Sequence, residues 1–246
     1  LTACGGTAQG TPTRMPETTA TVSPPASTLP PVAGPEPSYK VAAFYYPWYG
    51  NPATDGEWIH WNDSGFHPPL DITSDYFPAL GAYSSNDPAV VAQHMAWLRQ
   101  AGIGVIVLSW WGRQGFREER PVPLILQMAQ RYGIKVTFHI EPYAGRTADS
   151  LVRDVQYLYR KYGSDPAFFL SDASSRYSPG GQPRPMFFVW AIGSPDGNTA
   201  PVPAEYWQGA LDAIHALPHG ALVIANTLQG SWITGGHFDG LYYYAS

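Results

Sequence analysis

Residues 136–145 read "VTFHIEPYAG", and this short stretch contains both a buried strand and the beginning of a polar site. Apolar residues at every second position alternate with Thr137, His139 and Glu141. Because side chains alternate across a strand, His139, Glu141 and Tyr143 are predicted to share one face. Pro142 cannot donate to a sheet ladder, so the strand is predicted to end there and a loop to begin. A strand that is apolar on one face only is typical of a sheet whose other face lines a site.

The rest of the chain repeats this pattern of short apolar runs separated by helical periodicity. Strand-like runs rich in β-branched and aromatic residues occupy 41–48, 104–111, 135–142, 185–192, 221–228 and 239–245. Helical patterns occupy 86–101, 121–132, 147–162 and 203–217. Alternating strands and helices predict a parallel sheet of the α/β class. Polar and aromatic residues gather at one end of several strands, which favours a (β/α)8 TIM barrel of which about six βα units are present.

Aromatic, imidazole and carboxyl groups at these strand ends predict a sugar-binding mouth. The ring of a pyranose packs on Trp or Tyr, while its hydroxyls bond to carboxylate, imidazole and phenol groups. The candidate substrate-binding residues are Tyr46, His60, Trp61, Trp110, Trp111, His139, Tyr143, Tyr242 and Tyr244. Glu141 is the candidate carboxylate at the centre of this mouth. Two alternatives stay open: each aromatic ring taken singly could belong to the core, and His139 could be an interior histidine that bonds to a neighbouring strand.

Several function classes are disfavoured by composition and by missing motifs. The formal net charge is −5 and no Lys/Arg cluster is present, so a nucleic-acid partner is not expected. The histidines show no metal-ligand spacing, and no strand is followed by a nucleotide-binding glycine motif, so neither a metal nor a cofactor is predicted. The expected partner is an oligosaccharide or a polysaccharide.

The first 38 residues differ in composition from the remainder. "LTAC" at 1–4 resembles the lipobox of bacterial lipoproteins, in which the cysteine is lipidated, and this makes Cys4 the candidate lipidation site. Pro, Thr, Ser, Ala and Gly dominate residues 5–38, so residues 1–38 are predicted to be a lipobox with a disordered tether. Residues 39–246 form the predicted barrel. We therefore expect an extracytoplasmic protein that contacts a bacterial membrane only through a lipid on Cys4.

Seven segments together resemble glycoside hydrolase family 99, the endo-α-mannosidases and endo-α-1,2-mannanases. The segments are "FYYPWYGNP" (44–52), "DGEWIHW" (55–61), "ALGAYSSNDPAVVAQHM" (79–95), "GIGVIVLSWWG" (102–112), "KVTFHIEPY" (135–143), "PMFFVW" (185–190) and "HFDGLYYYA" (237–245). The resemblance implies a barrel that hydrolyses internal α-mannosidic linkages of mannan or mannose-rich glycans without a metal. It also implies retention of configuration through a 1,2-anhydro sugar, in which the 2-hydroxyl of the substrate is the nucleophile. That route departs from the carboxylate nucleophile of most retaining glycosidases.

Two departures from the family pattern bear on the chemistry. The two catalytic glutamates of the family lie in an Asn-Glu-Trp-His-Glu-Gly motif that these 246 residues do not contain, so the acid/base pair is not in the chain. The resemblance therefore gives Glu141 a supporting role in catalysis only. We expect the polypeptide to continue past Ser246, and we expect the fragment alone to be loosely packed or to aggregate because its outermost strands have unpaired edges. At position 111 the chain has Trp where family members often have Tyr.

Two other functions remain possible on the sequence alone. One is a carbohydrate-binding surface lipoprotein that retains the aromatic subsites without catalysis. The other is a related barrel hydrolase that acts on α-glucan.

Overall fold

A single parallel sheet organises the chain, which we describe from a computed structural model covering residues 29–113, 119–172 and 181–244. The strands are β1 (Ser38–Tyr45), β2 (Ile103–Trp110), β3 (Lys135–Ile140), β4 (Met186–Val189), β5 (Leu222–Asn226) and β6 (Gly240–Tyr242). They lie in sequential order, and each is parallel to the next. The sheet curls into an open barrel, which confirms the predicted partial (β/α)8 architecture.

Helices connect the strands and cover the outer face of the sheet. They are α1 (Pro52–Asp55), α2 (Pro88–Gln100), α3 (Val122–Tyr132), α4 (Ala148–Tyr162), α5 (Gln208–His215) and α6 (Ser231–Gly236), with 3-10 turns at Asp63–Gly65 and Ala204–Trp207. The helix predicted at 203–217 is therefore divided into a 3-10 turn and a shorter α-helix. The short helices α1 and α6 have no apolar periodicity long enough to predict them. Within the described ranges, no helix combines the length and the apolar character needed to span a membrane.

Local sequence signals set the ends of the long helices. Asp87 caps α2 by accepting a hydrogen bond from the Ala89 amide, and Pro88 occupies the first helical position. Thr147 and Ser150 form a reciprocal capping box at the start of α4. Gly133 ends α3 with φ +72°, a left-handed conformation that favours glycine. These ends hold the connecting loops at defined positions around the barrel.

The two faces of β3 have the environments that the alternation predicts. Phe138 is fully buried on the outer face, where its ring lies 5.6 Å from that of Tyr162 on α4. His139 points into the barrel, with its ring centroid 4.9 Å from that of Phe44. The register pairs His139 with Ser109 on one side, which places a polar row across neighbouring strands. The interior of the barrel is thus polar and aromatic, while the aliphatic core lies between the sheet and the helices.

Residues 29–37, predicted from composition to belong to the tether, contact the barrel at the end opposite to the strand C-termini. The hydroxyl of Tyr132 donates to the carbonyl of Pro30 at 2.5 Å, and Nη2 of the buried Arg99 donates to Glu36 Oε1 at 2.8 Å. Leu29 packs against the core. Arg99 and Tyr132 lie at the C-terminal ends of α2 and α3, so the first described residues lie against that end of the barrel. Cys4 lies outside the described residues.

A buried arginine joins the C-terminal ends of β3 and β4. Arg146 is 1% exposed, and its guanidinium donates to the carbonyls of Ile140 (2.9 Å), Trp190 (2.6 Å) and Ala191 (3.1 Å) and also to that of Pro195. Burial lowers the pKa of Arg146 to about 10. Ala191 has φ +49°, a conformation that costs free energy for a residue with a side chain. The arginine therefore holds a strained backbone at the end of β4.

Replacing Arg146 with Met should destabilise the protein strongly. The substitution leaves four buried carbonyls without their donor, and each lost hydrogen bond costs about 1 kcal/mol or more. We expect the free energy of unfolding of the protein in its natural length to fall by about 3 kcal/mol or more, measured by urea denaturation. Arg160→Met, on the exposed face of α4, is the matched control. A loss below about 0.5 kcal/mol for Arg146→Met would show that water replaces the guanidinium at no cost.

A histidine–aspartate pair fixes the start of β6. Oδ2 of Asp239 accepts from His215 Nε2 at 2.9 Å and from the amide of Val223 at 2.8 Å. The hydrogen bond to Asp239 is the largest cause that raises the pKa of His215, and the negative charge of Asp212 raises it further. Burial and the positive charge of Arg184 act in the opposite direction, but the net shift is upwards. The folded state therefore favours the charged imidazolium. This contribution to stability is complete below the ordinary histidine pKa of about 6.5 and is lost as pH rises through the higher pKa of the folded protein.

His215→Gln should consequently reduce stability more in acid than in alkali. We expect the difference in unfolding free energy between wild type and His215→Gln to be larger at pH 6 than at pH 9, measured by denaturant titration in a constant-ionic-strength buffer. Taking the difference removes the contributions of other titrating groups. A difference that is constant over this range would contradict the ion pair.

Candidate active site

A buried carboxylate lies at the C-terminal end of β3, where the barrel opens. Glu141 is 2% exposed, and its Oε1 accepts from the hydroxyl of Ser109 at 2.7 Å and from His139 Nδ1 at 2.9 Å. Its other oxygen, Oε2, is buried and has no hydrogen-bond partner among the described residues. An unpaired buried carboxylate oxygen is costly unless a ligand satisfies it. The position is therefore ready to accept a hydrogen bond from a ligand hydroxyl.

His139 links this carboxylate to the opposite wall of the barrel. Its Nε2 lies 2.5 Å from the hydroxyl of Tyr242, which comes from β6. A carboxylate can only accept, so Nδ1 of His139 donates to Glu141, and in the neutral imidazole Nε2 then accepts from the phenol. Ser109, Glu141, His139 and Tyr242 thus form one continuous hydrogen-bonded row across β2, β3 and β6. The row fixes the orientation of every polar group that it contains.

Aromatic rings surround the open side of this row. The hydroxyls of Tyr46 and Tyr244 are hydrogen-bonded to each other, and the ring of Tyr46 stacks on that of Trp48 with centroids 4.8 Å apart. Trp48 in turn lies 5.3 Å from the ring of His60 and 6.5 Å from that of Trp111. All five side chains are partly exposed. They form a half-open rim suited to the apolar face of a sugar ring.

The phenols of the site remain hydrogen-bond donors at any physiological pH. Burial is the largest cause that raises the pKa of Tyr46, and its hydrogen bond to Tyr244 and the charge of Glu141 add to the increase. Burial likewise raises the pKa of Tyr242, again with a contribution from Glu141. A neutral phenol can donate to a sugar hydroxyl or accept from one. These phenols are therefore neutral polar groups beside the carboxylate of Glu141.

The structure brings seven of the predicted residues to this mouth. Glu141, His139, Tyr242, Tyr46, Tyr244, Trp111 and His60 lie within one connected set of ring and hydrogen-bond contacts. His60 also holds Asp63, with Nδ1 2.9 Å from Oδ2, and adopts φ +61°. Imidazole, carboxyl and phenol groups from separate strands therefore converge as the strand pattern predicts.

Three other predicted residues contribute to packing elsewhere. Trp110 is fully buried on the outer face of β2, where it stacks on Tyr157 with centroids 6.2 Å apart. Trp61 is 2% exposed, stacks on Tyr49 at 4.1 Å and donates from Nε1 to a backbone carbonyl. The hydroxyl of Tyr143 donates to the carboxylate of Asp154 and is also within hydrogen-bond distance of the Ser150 hydroxyl, both on α4 and away from the mouth. These rings support the loops of the site from behind and do not line it.

Sequence reasoning missed two aromatic residues of the site. Trp48 stands between Tyr46, His60 and Trp111, and Trp190 lies 6.4 Å from the ring of His139 and 6.1 Å from that of Tyr244. Alternation along the first strand puts Trp48 on the same face as Tyr46, which is the signal that could have found it. Trp190 follows β4 directly, at the end of the barrel where a site is expected.

The described residues contain no group of three or more His, Cys, Asp or Glu side chains arranged to hold a metal ion. The polar row instead uses its histidine nitrogens to bond Glu141 and Tyr242. The chemistry that the mouth offers is hydrogen bonding to hydroxyl groups together with ring stacking.

Comparison with known proteins gives the chain a family. The sequence model described as glycosyl hydrolase family 99 matches residues 37–246. The glycoprotein endo-alpha-1,2-mannosidase of Rattus norvegicus is 35% identical over 236 residues, which cover 84% of this chain and 48% of that protein. The Mus musculus protein of the same name is 36% identical over 236 residues, which again cover 84% of this chain and 48% of that protein. The chain therefore spans about half the length of the curated relatives that it matches.

The solved structures agree with the sequence matches. The GH99 endo-alpha-mannosidase of Bacteroides thetaiotaomicron superposes with a TM-score of 0.68 at 31% identity, over 84% of this chain and 61% of that one. The structure of the same enzyme in complex with bis-tris-propane superposes with a TM-score of 0.67, over 85% of this chain and 60% of that chain. The six curled strands thus correspond to part of the barrel of those enzymes. From the sequence match, the identity to the mannosidases and the shared fold, the chain belongs to glycosyl hydrolase family 99.

Proposed function

We propose that the protein is a glycosidase that cleaves internal α-mannosidic linkages of mannan or mannose-rich glycans. The observation that supports this most directly is the buried Oε2 of Glu141, which has no hydrogen-bond partner in the described part of the chain and lies beneath a rim of aromatic rings. A pyranose hydroxyl satisfies that oxygen, while the ring packs against the rim. The names of the relatives supply the sugar, since both curated relatives are endo-alpha-1,2-mannosidases.

Glu141 has a binding and positioning role in this proposal. It is the only carboxylate in the polar row, and His139 and Ser109 already bond to one of its oxygens. A glycosidase needs one group that protonates the leaving oxygen and another that activates the nucleophile. In the proposed reaction those two groups are the glutamates of the family motif, which the 246 residues do not include. The 2-hydroxyl of the substrate, deprotonated by one of them, attacks C1 and displaces the leaving oxygen, which the other protonates. Water then opens the resulting 1,2-anhydro sugar at C1, so that two inversions give net retention. Glu141 then holds the sugar in place next to these glutamates.

The protein is also proposed to be an extracytoplasmic lipoprotein. The support is in the sequence, where "LTAC" precedes a Pro- and Thr-rich segment. The lipid on Cys4 would be its only contact with the membrane, and mass spectrometry of the purified protein tests for an acylated cysteine.

A second candidate function is carbohydrate binding without hydrolysis. It is favoured by the polar row, which contains one carboxylate among the described residues where hydrolysis needs two. Product analysis separates the candidates. Incubation of the protein in its natural length with α-mannan should release oligosaccharides of more than one length, while α-1,3-glucan is left intact. Binding to mannan without products would favour the second function, and cleavage of the glucan would contradict the proposed substrate.

Glu141→Gln should reduce kcat/KM by about a hundredfold. The substitution keeps the shape of the side chain but removes the charge that accepts hydrogen bonds from His139 and from the sugar, and losing one such aligned polar group typically costs at least that factor. The measurement is kcat/KM on a chromogenic α-mannobioside. Glu205→Gln, an exposed carboxylate outside the mouth, is the matched control. Equal rates for wild type and Glu141→Gln would remove Glu141 from the site.

A further inference from the structure

Arg146 connects two strands at the end of the barrel that carries the mouth. Just beyond the ladder between β3 and β4, the amide of Trp190 donates to the carbonyl of Ile140 at 3.2 Å. The guanidinium of Arg146 donates to that same carbonyl at 2.9 Å and to the carbonyl of Trp190 at 2.6 Å. It therefore continues the connection between the two strands after their own hydrogen bonds end.

Both of the connected positions adjoin the mouth. Ile140 directly precedes Glu141, the buried carboxylate of the polar row. The ring of Trp190 lies 6.4 Å from that of His139 and 6.1 Å from that of Tyr244, so this indole is part of the aromatic wall. One guanidinium thus holds the backbone next to the carboxylate and the backbone of an aromatic residue beside it.

The arginine is itself fixed in place by its surroundings. Its side chain is fully enclosed, and its Nε donates to the carbonyl of Pro195. The guanidinium carbon lies 5.7 Å from the ring centroid of the buried Trp207, a contact that attracts a cation to an aromatic face. Trp207 in turn donates from Nε1 to the carbonyl of Ile192 at 2.9 Å. Arg146 is therefore a rigid reference point for both strand ends.

The backbone that follows Trp190 depends on this contact. Ala191 adopts φ +49°, and Nη2 of Arg146 donates to the carbonyl before it and to its own carbonyl. A residue with a side chain leaves such a conformation unless its surroundings hold it there. Without the guanidinium the turn is free to relax, and the indole that precedes it changes its position at the mouth.

We propose that Arg146 is a positioning residue, which acts through the ends of β3 and β4 to hold Glu141 and Trp190 in the alignment that the reacting sugar requires. This role rests on the proposed function, because it assumes that a sugar reacts at the mouth. It goes beyond stabilisation, since it makes alignment of the mouth depend on Arg146 even in a protein that remains folded.

Fluorine NMR of the natural-length protein labelled with fluorotryptophan tests the positioning directly. The resonance of Trp190 is the one that disappears in Trp190→Phe. Arg146→Lys is the test variant, because the lysine ammonium lacks the planar fork that bridges carbonyls of two strands. We expect the Trp190 resonance to move or to broaden in Arg146→Lys. Arg160→Met, on the exposed face of α4, is the matched control and should leave this resonance unchanged.

Steady-state kinetics on the chromogenic α-mannobioside show whether the displacement matters for the reaction. We expect kcat of Arg146→Lys to fall by about tenfold or more while KM changes by less than about threefold, because misalignment affects the transition state more than ground-state binding. A purely structural role would lower the melting temperature and leave kcat per folded molecule unchanged.

A second substitution separates stability from positioning. Ala191→Gly removes the strain of the turn, because glycine adopts positive φ without a steric penalty. Added to Arg146→Lys, it should raise the melting temperature by about 2 °C. The Trp190 resonance and kcat should not return to their wild-type values, since the turn still lacks its donor. The double variant also takes the place of Arg146→Lys if the single variant does not melt cooperatively.

Three results would overturn the positioning role. One is a Trp190 resonance that keeps its wild-type position and width in Arg146→Lys. Another is a kcat within about twofold of the wild-type value. The third is a kcat that Ala191→Gly restores together with stability. If the wild-type protein releases no product from the mannobioside, the proposed function fails, and the resonance alone then decides whether Arg146 sets the position of Trp190.

Discussion

The alternation of side chains along the parallel strands is the constraint on which the rest of this structure depends. On β3 it sends Phe138 to the helices and His139 to the interior, and the parallel register sets Ser109 of β2 next to His139. A shift of one residue would exchange the two environments. It would bury imidazole among aliphatic side chains and expose phenylalanine to the mouth. The polar row from Ser109 to Tyr242 exists because several strands keep the same parity.

The same constraint explains which parts of the site could be predicted from the sequence. Tyr46, His139, Glu141 and Tyr242 lie in or directly beside regular strands, so periodicity gives their direction. Alternation also applies to Trp110, whose side chain points outwards to the helices while those of Ser109 and Trp111 point inwards. Its assignment to the sugar-binding residues was wrong because that assignment used the residue type and not the position along the strand. The six-stranded architecture was predictable for a similar reason, since apolar runs and helix ends recur along the chain.

Residues beyond the strands were not predictable in this way. Pro142 ends β3, and after it the backbone no longer alternates, so Tyr143 turns towards Asp154 of α4. Trp61 lies in an irregular loop, where its packing on Tyr49 depends on contacts distant in sequence. The length of the helix near residue 208 and the short helices α1 and α6 likewise depend on tertiary packing. Arg146 carries no sequence signal of its role, because its partners are backbone carbonyls that any residue could supply.

The contact between residues 29–37 and the C-terminal ends of α2 and α3 has a spatial consequence. Helices in a βα barrel run antiparallel to the strands, so this contact lies at the pole of the molecule opposite to Glu141. Leu29, the first described residue, therefore lies on the far side of the barrel from the mouth. An attachment through that end would leave the opening turned outwards, where a branched polymer too large to diffuse could reach it without steric hindrance from the attachment surface.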